Sequence, residues 1–157
     1  MTKASDSART GDVLRLDNQL CFAVYAAAHA FTATYKPLLE PLGLTYPQYL
    51  AMLVLWQEDG LTVSAIGARL GLDSGTLTPL LKRLEGAKLV TRIRDAADER
   101  QVRITLTAAG RALKAKAKGI PQDLLCASGL SLGEIGALRS KLEALAANLR
   151  DAAADSA

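Results

Sequence analysis

Several residue types from which active sites are usually built are scarce in this chain. Only 4% of its 157 residues are aromatic, and it contains one histidine and two cysteines. No His/Cys/Asp cluster has the spacing of metal ligands, and no glycine-rich phosphate loop is present. We therefore expect neither a metal nor a cofactor.

Long apolar runs are missing as well. The longest, residues 21–29 and 50–56, are well short of the roughly 18 residues that a membrane span requires. Residues 1–12 are polar and do not form a secretion signal. We expect a cytoplasmic protein without a membrane partner. In a reducing compartment, its two cysteines are free thiols, a redox pair or core residues rather than a structural disulfide.

The residues that are abundant favour helix. Half of the chain is apolar, alanine and leucine dominate, and segments with period-two alternation are scarce, which predicts one mostly α domain. Apolar residues at steps of three and four predict a long first helix over residues 13–35, ended by Lys36-Pro37. A second helix starts after Thr45, where Gln48 completes a capping box.

Two short amphipathic helices with a tight turn between them come next. Thr62 caps the first, which stops at Gly71, and Leu72-Asp73 forms the turn. Pro79 lies inside the second helix, where the lost backbone hydrogen bond predicts a kink or a late helix start. The apolar face of the second helix consists of Leu77, Leu80, Leu81 and Leu84.

A basic β-hairpin follows these helices. Strands at residues 90–94 and 102–106 flank a polar tip at residues 95–100, where Asp98 is expected to pair with an arginine. Residues 61–118 hold 12 basic and 5 acidic side chains, a net charge of +7, whereas each flanking segment carries −2. A basic centre between acidic ends indicates contact with a polyanion.

The C-terminal part of the chain predicts helices again. Thr107 caps a basic helix, and Ser131 with Glu134 forms a second capping box before a last helix. The apolar stripe of the last helix is narrow, which fits helix pairing between subunits. The alanine-rich tail after Asp151 is expected to fray.

Two helices, a tight turn and a basic hairpin together can read duplex DNA. One helix fits the major groove, and the hairpin tip reaches the neighbouring minor groove, which we expect Arg100 to enter. Any single charge is better explained as a solvated surface residue, but the combination favours DNA. The candidate DNA contacts are Ser74, Gly75, Thr76, Thr78, Pro79, Lys82 and Arg83 on the second helix, and Arg92, Arg94, Asp98, Arg100 and Arg103 in the hairpin.

A family resemblance rests on these same residues. The stretch DSGTLTPLLKRLEGAKLVTRIRDAADERQVRITLTAAG resembles the recognition helix and wing of the multiple-antibiotic-resistance regulator (MarR) family. The resemblance implies a winged helix-turn-helix repressor that binds a pseudo-palindromic DNA operator as an obligate homodimer. The expected domains are a flexible N-terminus at residues 1–12, a helical dimerisation region at 13–43 and 107–150, and a DNA-binding lobe at 44–106.

The N-terminal stretch LDNQLCFAVYAAAHAFTATYKPLLEPLGLTYPQYLAMLVLWQ resembles one branch of this family, the organic hydroperoxide resistance regulators. Tyr25 lies one helical turn after Cys21, where a phenol that donates to the sulfur would favour the reactive thiolate. The resemblance implies that an organic hydroperoxide oxidises Cys21 and that Tyr35 and Tyr46 reach it from the partner subunit. It also implies that Cys126 closes a reversible disulfide across the dimer, which releases DNA.

Three other interpretations stay open. A cysteine in an apolar helix is usually a small core residue, and the tyrosines could simply pack. A repressor of the same fold could release DNA when a small aromatic ligand fills the dimer crevice. A two-cysteine peroxidase is the third, but a basic winged helix would have no purpose there, so we expect no enzymatic activity.

Overall fold

The computed structural model describes residues 13–156, so the predicted flexible segment 1–12 lies outside the described residues. Seven helices and one three-stranded antiparallel sheet within this range confirm the predicted mostly α class with a small β wing. The chain divides into two compact units, one ending at Arg111 and the other beginning at Ala112. In chain order, the elements are α1 (Leu20–Leu39), α2 (Tyr46–Gln57), β1 (Leu61–Thr62), α3 (Val63–Leu70), α4 (Ser74–Gly86), β2 (Val90–Arg94), β3 (Val102–Leu106), α5 (Ala108–Ala117), α6 (Ile120–Ser128) and α7 (Leu132–Asp155).

The first helix starts and ends later than the predicted residues 13–35. Before α1, the side-chain amide of Gln19 donates to two earlier main-chain carbonyls, and the chain forms a single 3-10 turn at Leu16–Asn18 instead of a helix. At the other end, Pro37 deprives α1 of one backbone hydrogen bond without ending it. The helix continues far enough to bury Leu39 completely, and this packing outweighs the proline.

The predicted caps that set the helix boundaries are confirmed. The Gln48 side chain accepts the Thr45 N–H at 2.9 Å, and the Thr62 hydroxyl accepts the N–H three residues later at 3.2 Å. Ser131 and Glu134 form the second capping box, in which Glu134 Oε2 accepts the Ser131 N–H at 2.8 Å. Each cap satisfies main-chain donors that the first turn of a helix leaves without partners.

Pro79 does not delay the start of α4, so the predicted late start is wrong. The helix begins at Ser74 because Asp73 caps it, accepting the Thr76 N–H at 2.8 Å. Buried leucines on both sides of the proline then hold α4 against α2 and α3. Tertiary packing therefore compensates for the hydrogen bond that Pro79 removes.

The sheet contains the predicted hairpin and one strand that the sequence did not indicate. In the hairpin, Val90 pairs with Leu106 and Arg94 with Val102, which confirms the predicted strands. The additional strand β1 pairs with β3 on its other side, giving the order β1-β3-β2. Two residues are too few to show a strand period, so this strand has no sequence signal.

The core of the first unit lies between α2, α3, α4 and the sheet. Its fully buried side chains come from these elements and from the end of α1, so α4 and the hairpin share one packed body. The largest of them are Leu39, Met52, Leu55, Ile66, Leu77, Leu81, Leu84, Val90 and Ile104.

The second unit consists mainly of α6 and α7. The helix α7 continues through the alanine-rich tail to Asp155, so the predicted fraying after Asp151 is wrong. Alanine has the highest helix propensity of all residues, which explains the extension. Although α7 has 24 residues, neither it nor any other described helix is both long and apolar enough to cross a membrane.

Gly110 is the position where α5 packs most closely on the first unit. An alanine Cβ there would lie 2.1 Å from the Leu89 carbonyl oxygen, while the Gly110 carbonyl accepts the Trp56 indole N–H at 2.9 Å. We expect Gly110→Ala to lower the free energy of unfolding by about 1–3 kcal/mol in urea denaturation. At Gly86 the added Cβ would meet no atom within 4 Å, so Gly86→Ala should be neutral or stabilise by up to about 1 kcal/mol. Equal stability of the two variants would contradict this packing.

Candidate nucleic-acid interface and thiol sites

The recognition helix α4 presents one polar face to solvent. Because its leucines point into the core, Ser74, Gly75, Thr76, Pro79, Lys82 and Arg83 are exposed and Thr78 is half-buried. This face carries two cationic side chains and three hydroxyl groups. Such groups donate hydrogen bonds to phosphates and to base edges.

A buried aspartate organises the wing, the loop and strands from β2 to β3. The Asp95 carboxylate accepts the Ala97 and Asp98 N–H groups at 2.8 and 3.4 Å and pairs with Arg103. Arg103 in turn donates to the Gly60 carbonyl at 2.9 Å, so it links the wing to the β1 end of the sheet. These hydrogen bonds, from Ala97 and then from Arg103, hold the pKa of Asp95 below its usual range. No sequence pattern indicated the role of Asp95, and Arg103 was predicted to contact DNA.

The tip of the wing holds the predicted pair between Asp98 and an arginine. Arg100 Nε donates to Asp98 Oδ1 at 3.1 Å, and this bond is the main reason that the pKa of Asp98 is lowered. The side chain of Arg100 is nevertheless 90% exposed. Asp98 therefore fixes the Nε end of the Arg100 guanidinium, while the rest of the side chain remains accessible to a ligand beyond the tip of the wing.

A cleft of about 360 Å³ lies between the recognition helix and the wing. It brings together four of the predicted DNA contacts, Ser74, Thr78, Arg92 and Arg100, whereas Lys82, Arg83 and Arg94 do not line it. Its remaining wall includes Thr62, Ser64 and Gln101, which the sequence analysis did not single out. Thr62 and Ser64 had a signal, since they flank the start of a helix, where main-chain donors gather.

Asp59 joins the end of α2 to β3 and α5. Its Oδ1 accepts the Gly60 and Leu106 N–H groups, both at 2.8 Å, and its Oδ2 accepts from Arg111 at 2.9 Å. The sequence analysis missed this role, although Asp-Gly after a helix is typical of a turn held by the aspartate side chain.

The two cysteines are free and exposed. Cys21 lies in α1 of the first unit, and Cys126 lies in α6 of the second, where Gln122 Nε2 is 3.6 Å from its sulfur. Tyr25, expected beside Cys21, packs instead on His29, with ring centroids 4.3 Å apart. Among the described residues, no hydrogen bond links Tyr25 to the Cys21 thiol.

Tyr35 and Tyr46 stack on each other at the junction of α1 and α2. Their centroids are 4.6 Å apart, and Tyr49, missed by the sequence analysis, lies 5.7 Å from Tyr35. Burial, with the proximity of Tyr46 and Tyr49, raises the pKa of Tyr35 to about 12, and burial also raises that of Tyr46. Both phenols therefore remain protonated hydrogen-bond donors at neutral pH.

An open, mostly apolar cavity of about 670 Å³ adjoins these tyrosines. It lies between α1 and the start of α2, and Tyr46 forms part of its wall. Its charged or titratable side chains are His29, Lys36, Glu40 and Tyr46. The cavity is large enough for a small organic molecule.

Large apolar side chains on α1 and α7 are exposed in the single chain. They occupy successive turns, as in helices that pack on a partner, and such contiguous apolar surface marks interaction sites. The exposed residues are Leu20, Phe22, Val24, Tyr25 and Phe31 on α1, and Leu132, Leu138, Leu142 and Leu149 on α7.

The chain is similar to several proteins described as transcriptional regulators. The family model described as transcriptional regulator SarA/Rot matches residues 33–117, more than half of the chain. HTH-type transcriptional regulator TtmR of Methylorubrum extorquens is 56% identical over 89% of this chain and 70% of its own length. The organic hydroperoxide resistance transcriptional regulator of Bacillus subtilis is 51% identical over 85% of this chain and 91% of its own.

The solved structures that match include three states of AbfR, a protein of Staphylococcus epidermidis. Reduced AbfR bound to DNA is 40% identical, with a TM-score of 0.71 over 87% of this chain and 96% of AbfR. Overoxidised AbfR bound to DNA is 39% identical, with a TM-score of 0.73 over 87% of this chain and 95% of AbfR. Disulfide-formed AbfR is 38% identical, with a TM-score of 0.60 over 92% of this chain and 97% of AbfR. These matches confirm the winged helix-turn-helix architecture.

The low pKa of Asp95 predicts that acid loosens the wing. Aspartate in an unfolded chain has a pKa of about 3.9. Because the folded-state pKa of Asp95 is lower, its carboxylate stabilises the wing above that pH, and this contribution is lost as the pH falls through the folded-state value. Asp95→Asn should remove this pH dependence and loosen the wing at neutral pH.

Hydrogen exchange of the Ala97 amide, followed by NMR between neutral and acidic pH, measures this effect. The exposed neighbour Glu99 provides a matched control, since Glu99→Gln makes the same change of charge and should leave the exchange unaltered. Slow exchange of Ala97 in Asp95→Asn would refute the role assigned to Asp95.

Proposed function

Because the chain belongs to the MarR/SarA-type transcriptional regulators, we propose that it is a homodimeric repressor that senses organic hydroperoxides through Cys21. DNA binding rests on one main observation, the polar face of α4 beside a wing whose tip holds an exposed arginine. Two relatives of this chain are named as transcriptional regulators, and AbfR, which has the same architecture, has been solved on DNA.

In this proposal α4 enters the major groove and Arg100 enters the adjacent minor groove. The residues on the polar face of α4 contact base edges and the DNA backbone; they are Ser74, Gly75, Thr76, Thr78, Pro79, Lys82 and Arg83. Arg92 and Arg94 contact phosphates, while Asp98 positions Arg100. Arg103 acts through Asp95, since its guanidinium is paired there, and so supports the wing more than it touches DNA.

The dimer is built from the exposed apolar faces of α1 and α7. We assign the dimerisation region to residues 13–43 and 107–150, and the DNA-binding lobe to residues 44–106. A two-fold axis between identical subunits presents two recognition helices, which requires a pseudo-palindromic operator.

The chemical step begins with attack of the Cys21 thiolate on the terminal oxygen of a hydroperoxide. The O–O bond breaks, an S–O bond forms, and the alcohol leaves with a proton, so the sulfur is oxidised to sulfenic acid as the peroxide is reduced. Tyr35 and Tyr46 of the partner subunit donate hydrogen bonds to this sulfur. Their raised pKa values keep both hydroxyls protonated, as this donor role requires.

Release of DNA follows from the second step. The Cys126 thiolate attacks the sulfenic sulfur, an S–S bond forms, the S–O bond breaks, and water leaves. A link between α1 and α6 across the dimer would change the separation of the two lobes. That overoxidised AbfR was solved on DNA supports the disulfide, rather than oxidation alone, as the releasing event.

A second candidate is favoured by the 670 Å³ cavity beside Tyr46. A small aromatic ligand bound there would release DNA without thiol chemistry, as in the alternative left open by the sequence. In that case the cysteines have no role, and their replacement leaves the response unchanged.

Replacing the two cysteines separates these functions. Cys21→Ser should bind DNA with unchanged affinity and lose its response to cumene hydroperoxide, since no thiolate is left to oxidise. Cys126→Ser should consume about one equivalent of peroxide per subunit by the chemistry of the first step, but form no covalent dimer. Fluorescence anisotropy on operator DNA and non-reducing electrophoresis measure both effects.

Peroxide-dependent release by Cys21→Ser would disprove the thiol mechanism and favour the ligand. Continuous turnover of peroxide with a dithiol would instead indicate a peroxidase. Full release by oxidised Cys126→Ser would show that the disulfide is unnecessary.

Tyr35→Phe tests the donor role of the phenol. One hydrogen bond to a charged group contributes about 1.5–3 kcal/mol, so we expect Cys21 oxidation to slow roughly 10- to 150-fold at constant pH. Stopped-flow measurement of thiol loss gives the rate. Tyr49→Phe removes a phenol from the same cluster without a proposed contact to the sulfur, and it should oxidise at the wild-type rate. Equal rates for both variants would rule out the donor role of Tyr35.

A further inference from the structure

The cleft between α4 and the wing contains a polar group without a partner. Arg92 lines the cleft and is only 20% exposed, and its Nε is buried with no hydrogen-bond acceptor in the described part of the chain. The other end of the guanidinium lies 3.9 Å from Glu85, a long ion pair. Burying a cationic donor without an acceptor is unfavourable, so a small movement of the side chain that brings Nε to an acceptor in the cleft would be favourable.

We propose that this cleft is the seat of one backbone phosphate of duplex DNA, held by Arg92 from the wing and by Ser64 from the start of α3. The inference rests on the proposed function, because it assumes that duplex DNA binds this face. It assigns the phosphate contact of Arg92 to one cleft, which Ser74, Thr78 and Arg100 also line, and it gives α3 a direct part in binding.

The chemistry of the cleft fits a phosphodiester. Arg92 and Arg100 supply positive charge, and Thr62, Ser64, Ser74 and Thr78 supply hydroxyl donors. The Thr62 and Ser64 hydroxyl oxygens are 3.2 Å apart, so they can converge on one acceptor. The first turn of α3 forms the same wall, and helix starts favour anions through their free N–H groups and dipole.

The position of the cleft identifies the source of the phosphate. A protein that places one element in the major groove and another in the adjacent minor groove must straddle the sugar-phosphate strand that separates them. The cleft lies between those two elements, α4 and the wing. The sugar-phosphate strand therefore crosses the cleft. A site for a free anion would not need to lie between α4 and the wing.

Glu85 explains why the site keeps its shape before DNA arrives. Its carboxylate holds one end of the Arg92 guanidinium without reaching Nε. The side chain is thereby directed in advance, so less side-chain freedom is lost when the phosphate binds.

The experiment measures affinity for the tightest duplex that the protein selects from a random pool, over a range of salt concentrations. Each phosphate contact contributes about 0.9 to the slope of log K against log salt. Two seats per dimer should therefore lower the slope by about 2 in Arg92→Gln, with roughly ten- to a hundredfold weaker binding at moderate salt. Arg69→Gln is the matched control, since Arg69 is a cation of the same lobe, paired with Glu58 and absent from the cleft.

A methylphosphonate scan of the duplex connects the residue to a single phosphate. Neutralising the phosphate in the cleft should weaken the wild-type protein and leave Arg92→Gln unaffected. Arg92→Lys keeps the charge and loses Nε, so it should keep the slope and lose affinity. Ser64→Ala should bind more weakly with an unchanged slope, and circular dichroism checks that each variant is folded.

The outcomes distinguish failure of the proposed function from failure of the phosphate site alone. If the wild-type protein binds no duplex in a salt-dependent way, the proposed function fails, and the phosphate seat fails with it. If it binds and Arg92→Gln keeps the full slope, or every methylphosphonate weakens both proteins equally, only the seat is overturned. Inorganic phosphate at constant ionic strength is the last arm, because saturable binding to the wild type without any methylphosphonate effect would indicate a free-anion site instead.

Discussion

Burial of the leucine face of α4 is the interaction on which the first unit depends. Leu77, Leu81 and Leu84 have no exposed surface, and each such side chain contributes about 1.5–3 kcal/mol when it leaves water. A helix has one rotation about its axis that hides all three. The same rotation decides which side chains face outward, so the core determines the recognition face. Gly67 permits this packing, because a Cβ there would lie 2.6 Å from the Leu72 carbonyl.

The wing depends on the same body through charged groups rather than leucines. Asp95 accepts a main-chain hydrogen bond in the turn after β2, and its partner Arg103 donates across the sheet to the Gly60 carbonyl. Asp59 holds the opposite end of β3 and the start of α5. Aspartates at both ends of β3 thus hold the hairpin in place, which leaves the arginine at the tip free to interact.

Local signals in the sequence were sufficient for much of this fold. The caps at Thr45, Thr62 and Ser131, the leucine spacing of α4 and both hairpin strands follow from neighbours a few residues apart. Contacts over longer separations could not be predicted. Arg103 meets Gly60 across 43 positions, and neither residue type indicates the other.

The candidate sites divide in the same way. The residue types on α4 and in the wing were evident, but the cleft needs α3 and the wing side by side, which no sequence pattern reports. The tyrosine cluster was incomplete without Tyr49, an ordinary core residue by its spacing. The prediction that α1 ends at Lys36-Pro37 was wrong, because burial of Leu39 outweighs the one backbone hydrogen bond that Pro37 removes.

The stacked tyrosines have a consequence for the conditions under which such a sensor operates. With a pKa of about 12, the Tyr35 hydroxyl keeps its proton through any acidity or alkalinity at which a cell survives. The polarity around a sulfur placed against it would then stay constant while the medium varies. The phenol itself would therefore add no pH dependence to such a contact.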